Sequence, residues 1–218
     1  MKCYYRSYKI DMTKIAFSLI LAAGAAFGQY TSAAAGAPPS ELNAAITAML
    51  QKDGIKVLNG DKVVCEIWLR AVAPSGPKSA EDSVSLPNIP QGALLGAIRF
   101  PAKGADRRGN PIAAGVYTLR YSNFPPNGDH QGVSPQRDFM LISKAVDDQN
   151  ANATPSFKDL VAMSEKATGA PHPGVFSFWK LDASFKPGLE KEGENDWILR
   201  TKLGDIPIAL IVIGKVEG

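Results

Sequence analysis

Two histidines and the polar residues around them are the side chains whose types and spacing could do chemistry. In Asn127-Gly128-Asp129-His130-Gln131-Gly132, followed by Arg137-Asp138, a carboxylate, an imidazole and a guanidinium surround one glycine-flanked loop. His172 sits between prolines in Ala170-Pro171-His172-Pro173-Gly174, a rigid stretch just ahead of an apolar run. If the two loops meet at one end of the fold, His130, His172 and Asp129 form a two-histidine, one-carboxylate metal set. The alternative is a polar pocket for another ligand, with Arg137 and Asp138 alongside. The competing reading leaves both histidines exposed or bonded within their loops, and Arg137 in a local ion pair with Asp129 or Asp138. No H-x-H or H-E-x-x-H spacing accompanies them, so no motif implies a metal or any other cofactor.

Nucleophilic catalysis has less support. There is no G-x-S-x-G elbow, and Cys65 falls on the apolar face of an alternating segment where burial is expected. A carboxylate pair is recognised by distance rather than spacing, so acid catalysis stays open. Glu190, Glu192, Glu194 and Asp196 cluster without a D-x-[DN]-x-[DN]-G loop and read as a solvated charged turn rather than a calcium site. Trp68, Trp179, Trp197, Tyr117 and Tyr121 all lie in strand-like segments, where packing alone favours aromatics. Trp68 shares its face with Glu66 and Arg70 and is expected to be partly exposed.

These residues must be positioned by β structure. Residues 55–58, an Asn59-Gly60 turn and residues 62–72 carry a hairpin signature, with Val63, Cys65, Ile67 and Leu69 on one face. Further strands are expected at 93–100, 115–121, 138–143, 175–181, 197–202 and 206–213, with 83–86 a possible short edge strand. The last is apolar on both faces and is placed centrally. One helix is expected after a Ser40 cap, with Leu42, Ala45, Ile46, Met49 and Leu50 at helical spacing and Gly54 as its stop. A second runs over 156–167 between a Ser156 cap and Gly169. No strand-helix alternation appears, so a parallel nucleotide-binding fold is excluded. The expected fold is mainly β, an antiparallel β-sandwich of about eight strands with two flanking α-helices.

The first 28 residues give an address. Lys2, Arg6, Lys9 and Lys14 precede an apolar run over 15–27, and Ala26-Phe27-Gly28 supplies the small residues that signal peptidase needs. Met12 is an alternative start that leaves cleavage unchanged. The run is shorter than the roughly 20 residues of a spanning helix, so no transmembrane segment is expected after cleavage. Residues 1–28 are read as a cleaved signal peptide, 29–39 as a disordered lead-in and 40–218 as a single β-sandwich domain, exported to the periplasm or secreted. Of 24 Lys and Arg and 21 Asp and Glu, the leader holds four and one, leaving 20 of each sign in the remainder. A neutral chain lacks the basic footprint of a nucleic-acid binder. With Cys3 removed, Cys65 has no disulfide partner.

Gly109-Asn110-Pro111-Ile112-Ala113-Ala114-Gly115-Val116-Tyr117-Thr118-Leu119-Arg120-Tyr121 resembles the pattern G-x-x-[IL]-x-A/P-G-x-Y-x-L of extracytoplasmic bacterial β-sandwich proteins. Over residues 94–213 the chain is similar to secreted families of the DUF2911 type. Over these 13 residues alone it is also similar to carboxypeptidase-regulatory or transthyretin-like modules. The resemblance implies a β-sandwich outside the cytoplasm and transfers no catalytic residue. The function expected is therefore a non-enzymatic module that binds a small ligand or an envelope protein through Asp129, His130, Arg137, Asp138 and His172. The alternatives are a metal-binding protein or metal-dependent enzyme using His130, His172 and Asp129, and a structural envelope-associated protein.

Overall fold

The computed structural model describes residues 30–80, 84–123 and 137–215. In chain order these form β1 (Tyr30–Gly36), α1 (Ala44–Thr47), β2 (Gly54–Asn59), β3 (Lys62–Leu69), β4 (Leu94–Phe100), β5 (Gly104–Ala105), β6 (Pro111–Ile112), β7 (Gly115–Asn123), β8 (Asp138–Lys144), α2 (Phe157–Thr168), β9 (Val175–Lys180), β10 (Gly188–Glu192), β11 (Asp196–Leu203) and β12 (Ile206–Ile213). Ten strands make one antiparallel sheet in the order β1-β2-β3-β4-β7-β8-β9-β12-β11-β10, and β5 pairs with β6 separately. The expected mainly β, antiparallel class with two helices is observed.

The eight-strand sandwich is corrected to a ten-stranded sheet that curls into a nearly closed barrel. β9 makes the corner, because Val175, Phe176 and Ser177 pair with β8 while Phe178, Trp179 and Lys180 pair with β12. Ten alternating strands leave β1 and β10 antiparallel to each other. Among the described residues the two edges lie side by side without strand pairing, and across this seam the Tyr30 ring of β1 meets Trp197 of β11 edge-on at 5.3 Å.

Period-two alternation fills the interior. Cys65, Ile67 and Leu69 from β3 meet Tyr117 and Leu119 from β7, Met140 and Ile142 from β8, Phe176 and Phe178 from β9, and Ile208 and Leu210 from β12 in one core. The proline-rich connection between β3 and β4 adds Leu86 and Ile89 and so plugs one end. Residues 84–86 are loop there, not an edge strand. The turn at Gly60 (φ 57°) uses the left-handed conformation that glycine adopts without strain.

Three expectations need correction. Residues 30–36, expected in the disordered lead-in, form β1, because backbone pairing with β2 needs no large side chains. The first helix is a single turn capped by Asn43 rather than Ser40. The chain then leaves helical geometry to bond β3, with Gln51 N–H donating to Leu69 O at 2.8 Å and Ala71 N–H to Met49 O at 2.9 Å. Trp68 is buried at 1 % exposure, because α1 and the end of β1 cover the outer face on which its alternation places it. β12 is buried on both faces as expected, although its outer residues Ala209 and Ile211 pack with Ile198, Trp179 and Leu181 rather than under a helix.

Candidate functional site

The three described candidates divide between the two ends of the barrel. Asp138 opens β8 at the plugged end. It is buried, and its carboxylate accepts from the Tyr121 hydroxyl at 2.7 Å and the Ser85 amide at 2.6 Å, so it ties the plug to the wall. Arg137 stands beside it, half-buried. His172 precedes β9 at the other end, where Gly174 O accepts from Ile142 N. β8 and β9 run antiparallel with Leu141 opposite Val175, which sets Asp138 and His172 about six residues apart along the strand direction. At about 3.3 Å per residue that is about 20 Å, too far to share a ligand. Asp129 and His130 lie outside the described residues. Among the described residues no group of three His, Cys, Asp or Glu is placed to hold a metal ion.

Burial, reinforced by the hydrogen bond to Asp138, pushes the Tyr121 phenol far above its ordinary value. The folded state therefore keeps a proton that the unfolded chain releases above about pH 10, and this contribution is full below that pH and lost above it. Tyr121→Phe is expected to cost about 1–3 kcal/mol in a urea titration, since it leaves a buried carboxylate oxygen without its donor.

His172 is held by α2 and the loop that follows. Ser156 caps the helix, its hydroxyl accepting from Asp159 N at 3.2 Å, and Gly169 closes it in a left-handed conformation. The Thr168 hydroxyl donates to His172 O at 2.8 Å, and Gly174 N donates to Ser164 Oγ at 3.0 Å. These bonds staple the loop to the helix, while Pro171 and Pro173 restrict its backbone. Opposite lies the β5–β6 loop, folded around buried Asp106, whose carboxylate accepts from Arg108 N at 3.0 Å and Asn110 N at 2.9 Å. Arg107 fixes this loop to β11 through a bidentate pair with Asp196.

Between these parts is a pocket of about 70 Å³. Its floor is apolar, made by Phe139, Leu141 and Val175 of the sheet and Phe157 and Val161 of α2. Its mouth carries Arg108, Glu165, Pro171, His172 and Pro173. Among the described residues no serine, threonine or cysteine lines it. Sequence reasoning singled out His172 and missed Arg108 and Glu165. Glu165 was signalled by spacing, because Phe157, Val161 and Glu165 follow one another at four-residue steps on one face of α2. Arg108 is brought in by a loop and left no periodic signal.

Two wider clefts offer less. One, of about 410 Å³, lies at the seam beside Ala33, Ala34 and Gly188; the other, of about 170 Å³, lies against the plug near Leu86. Three of the four clustered acids are split between neighbours: Glu190 and Glu192 face Arg200, and Asp196 faces Arg107.

Cys65 is free and fully buried, and burial, with Glu66 adding to it, pushes its thiol up to about 12. A thiol so protected should not react with Ellman's reagent at pH 8 in the native protein and should react at once on unfolding. Fast native labelling would contradict its placement.

Comparison with protein-family models, with curated proteins and with solved structures gives no match in any of the three. No helix among the described residues is long and apolar enough to cross a membrane.

Proposed function

We propose that this is an exported, non-enzymatic binding module, and that its ligand site is the pocket between α2 and the outer face of β8 and β9. The observation that supports this most is the convergence of an apolar floor and a charged mouth, both held by hydrogen-bonded loops, around His172. Such a combination binds a small apolar group while polar groups set its orientation. Among the described residues no serine, threonine or cysteine lines it, and no hydrogen-bonded pair of nucleophile and base is in place there, which favours holding over conversion. Export rests on the basic and then apolar leader, and residues 109–121 resemble secreted sandwich families in keeping with that address.

The test is an amide-shift NMR titration of the protein with isopentanol, a neutral branched probe. Shifts are expected to cluster at Leu141, Val161 and Val175, with millimolar affinity for so small a ligand. Val161→Trp, which fills the pocket, should abolish them while circular dichroism stays unchanged. If that variant fails to fold, Val161→Phe serves the same purpose. Absent or scattered shifts, or stoichiometric metal carried by the purified protein at His172, would overturn the reading.

A further inference from the structure

Charges of both signs stand at the rim of the pocket, Arg108 and His172 exposed and Glu165 half-buried. Arg99, Arg107, Arg120 and Arg200 each face an acidic side chain. Among the described residues, the Arg108 guanidinium, the Glu165 carboxylate and the His172 imidazole make no ion pair or side-chain hydrogen bond, although all three line one small pocket. A cation and an anion on one pocket rim that do not pair with each other both stay available to a ligand carrying charges of both signs. A cavity of about 70 Å³ suits a branched aliphatic group of about four or five heavy atoms.

We infer that the occupant is a free α-amino acid with a branched apolar side chain, an inference that rests on the pocket being the ligand site. The side chain lies on Phe139, Leu141 and Val175. The carboxylate meets Arg108 with His172 beside it, and the ammonium meets Glu165. The mouth is solvent-accessible, so each charge contributes modestly, about two- to fivefold in affinity. A purely apolar ligand would leave the mouth unused, and a simple anion would set its charge against Glu165.

The experiment compares L-leucine, 4-methylpentanoate and isopentylamine by NMR titration of the full chain, with isopentanol as the neutral reference. L-leucine is expected to bind two- to fivefold more tightly than either singly charged analogue. Arg108→Ala should weaken L-leucine and 4-methylpentanoate by that factor and leave isopentylamine unchanged or improved. Glu165→Gln should weaken L-leucine and isopentylamine and spare 4-methylpentanoate. If 4-methylpentanoate matches L-leucine and Glu165→Gln changes neither, the amino-acid assignment is overturned while the pocket stands. If isopentanol binds and the charged probes bind no better, the assignment fails in the same way. If no probe, isopentanol included, perturbs the pocket amides, both readings fall together.

Discussion

Replacing Arg120 by methionine is expected to lower the unfolding free energy by about 3–5 kcal/mol, the cost of stripping one partner from a buried ion pair. Arg120 lies on β7 between Leu119 and Tyr121, and alternation turns it away from the main core. It is nevertheless fully buried, because the connection from β8 to α2 crosses over it. All five guanidinium hydrogens are used. Nε donates to Asp148 Oδ2 at 2.6 Å. Nη2 donates to Asp148 Oδ1 at 2.7 Å and to Asn150 O at 2.8 Å, and Nη1 to Gly92 O at 2.7 Å and Ala153 O at 2.6 Å. Thr118 adds a hydroxyl to Asp148 Oδ2 at 2.5 Å.

Methionine would leave the buried Asp148 carboxylate with only the Thr118 hydroxyl and take the guanidinium donors from the Gly92, Asn150 and Ala153 carbonyls. Lysine would not rescue it, since one ammonium cannot reproduce a planar fork of five donors. Replacing Arg120 and Asp148 together by methionine should cost clearly less than the sum of the two single changes, because the uncompensated charge disappears. Equilibrium urea denaturation of the four proteins measures this. An Arg120→Met loss below about 1 kcal/mol would mean that the network adds little.

Trp68→Ala is expected to cost about 3–5 kcal/mol and to loosen β1 selectively. The indole packs with Leu42, Ile46, Leu50 and Leu94 beneath α1, and its Nε1 donates to Gly36 O at 2.8 Å, so one side chain joins β1, α1 and β3. Its ring lies against Gly54, where an added Cβ would collide with Nε1. Arg99 stands 5.9 Å from the ring centroid, a cation–π distance. Trp68→Phe keeps most of the buried area and loses the hydrogen bond, so about 1–2 kcal/mol is expected. Hydrogen exchange should accelerate in residues 30–36 before the rest of the sheet in the alanine variant. Uniform acceleration would show that β1 is not held through Trp68.

The strands whose side chains alternate were legible. β3, β7, β11 and β12 fall within a few residues of their expected positions, and Cys65 points into the core as its alternation requires. The Ser156 cap and Gly169 stop of α2 were legible because capping is local chemistry. What escaped was set by tertiary pairing. Tyr30-Thr31-Ser32-Ala33-Ala34-Ala35-Gly36 has no apolar face and becomes a strand only because β2 offers it a ladder. Gly188-Leu189-Glu190-Lys191-Glu192 is charged and exposed, and it forms β10 only at the edge beside β11. Missing these two edges left the strand count short and hid the curl into a barrel. Trp68 was misplaced for a related reason: alternation shows which face a residue takes but not what later covers that face.

The candidate site was half legible. His172 stood out by its prolines, yet the connection after β8 carries it to the end opposite Asp138, and sequence spacing could not fix that choice. Asp138 turned out to be a structural tie to Tyr121 and Ser85. Arg108 joins the mouth only because Asp106 and the Arg107–Asp196 pair fold its loop against α2 and β9.

On the proposed reading a small ligand sits between α2 and the outer face of β8 and β9. Intermolecular nuclear Overhauser effects from the methyl groups of bound isopentanol test it most directly. Contacts are expected to the Phe139 and Phe157 rings and to the methyls of Val161 and Val175. Contacts to Ala33 and Ala34 at the seam or to Leu86 at the plug, with none beneath α2, would contradict it.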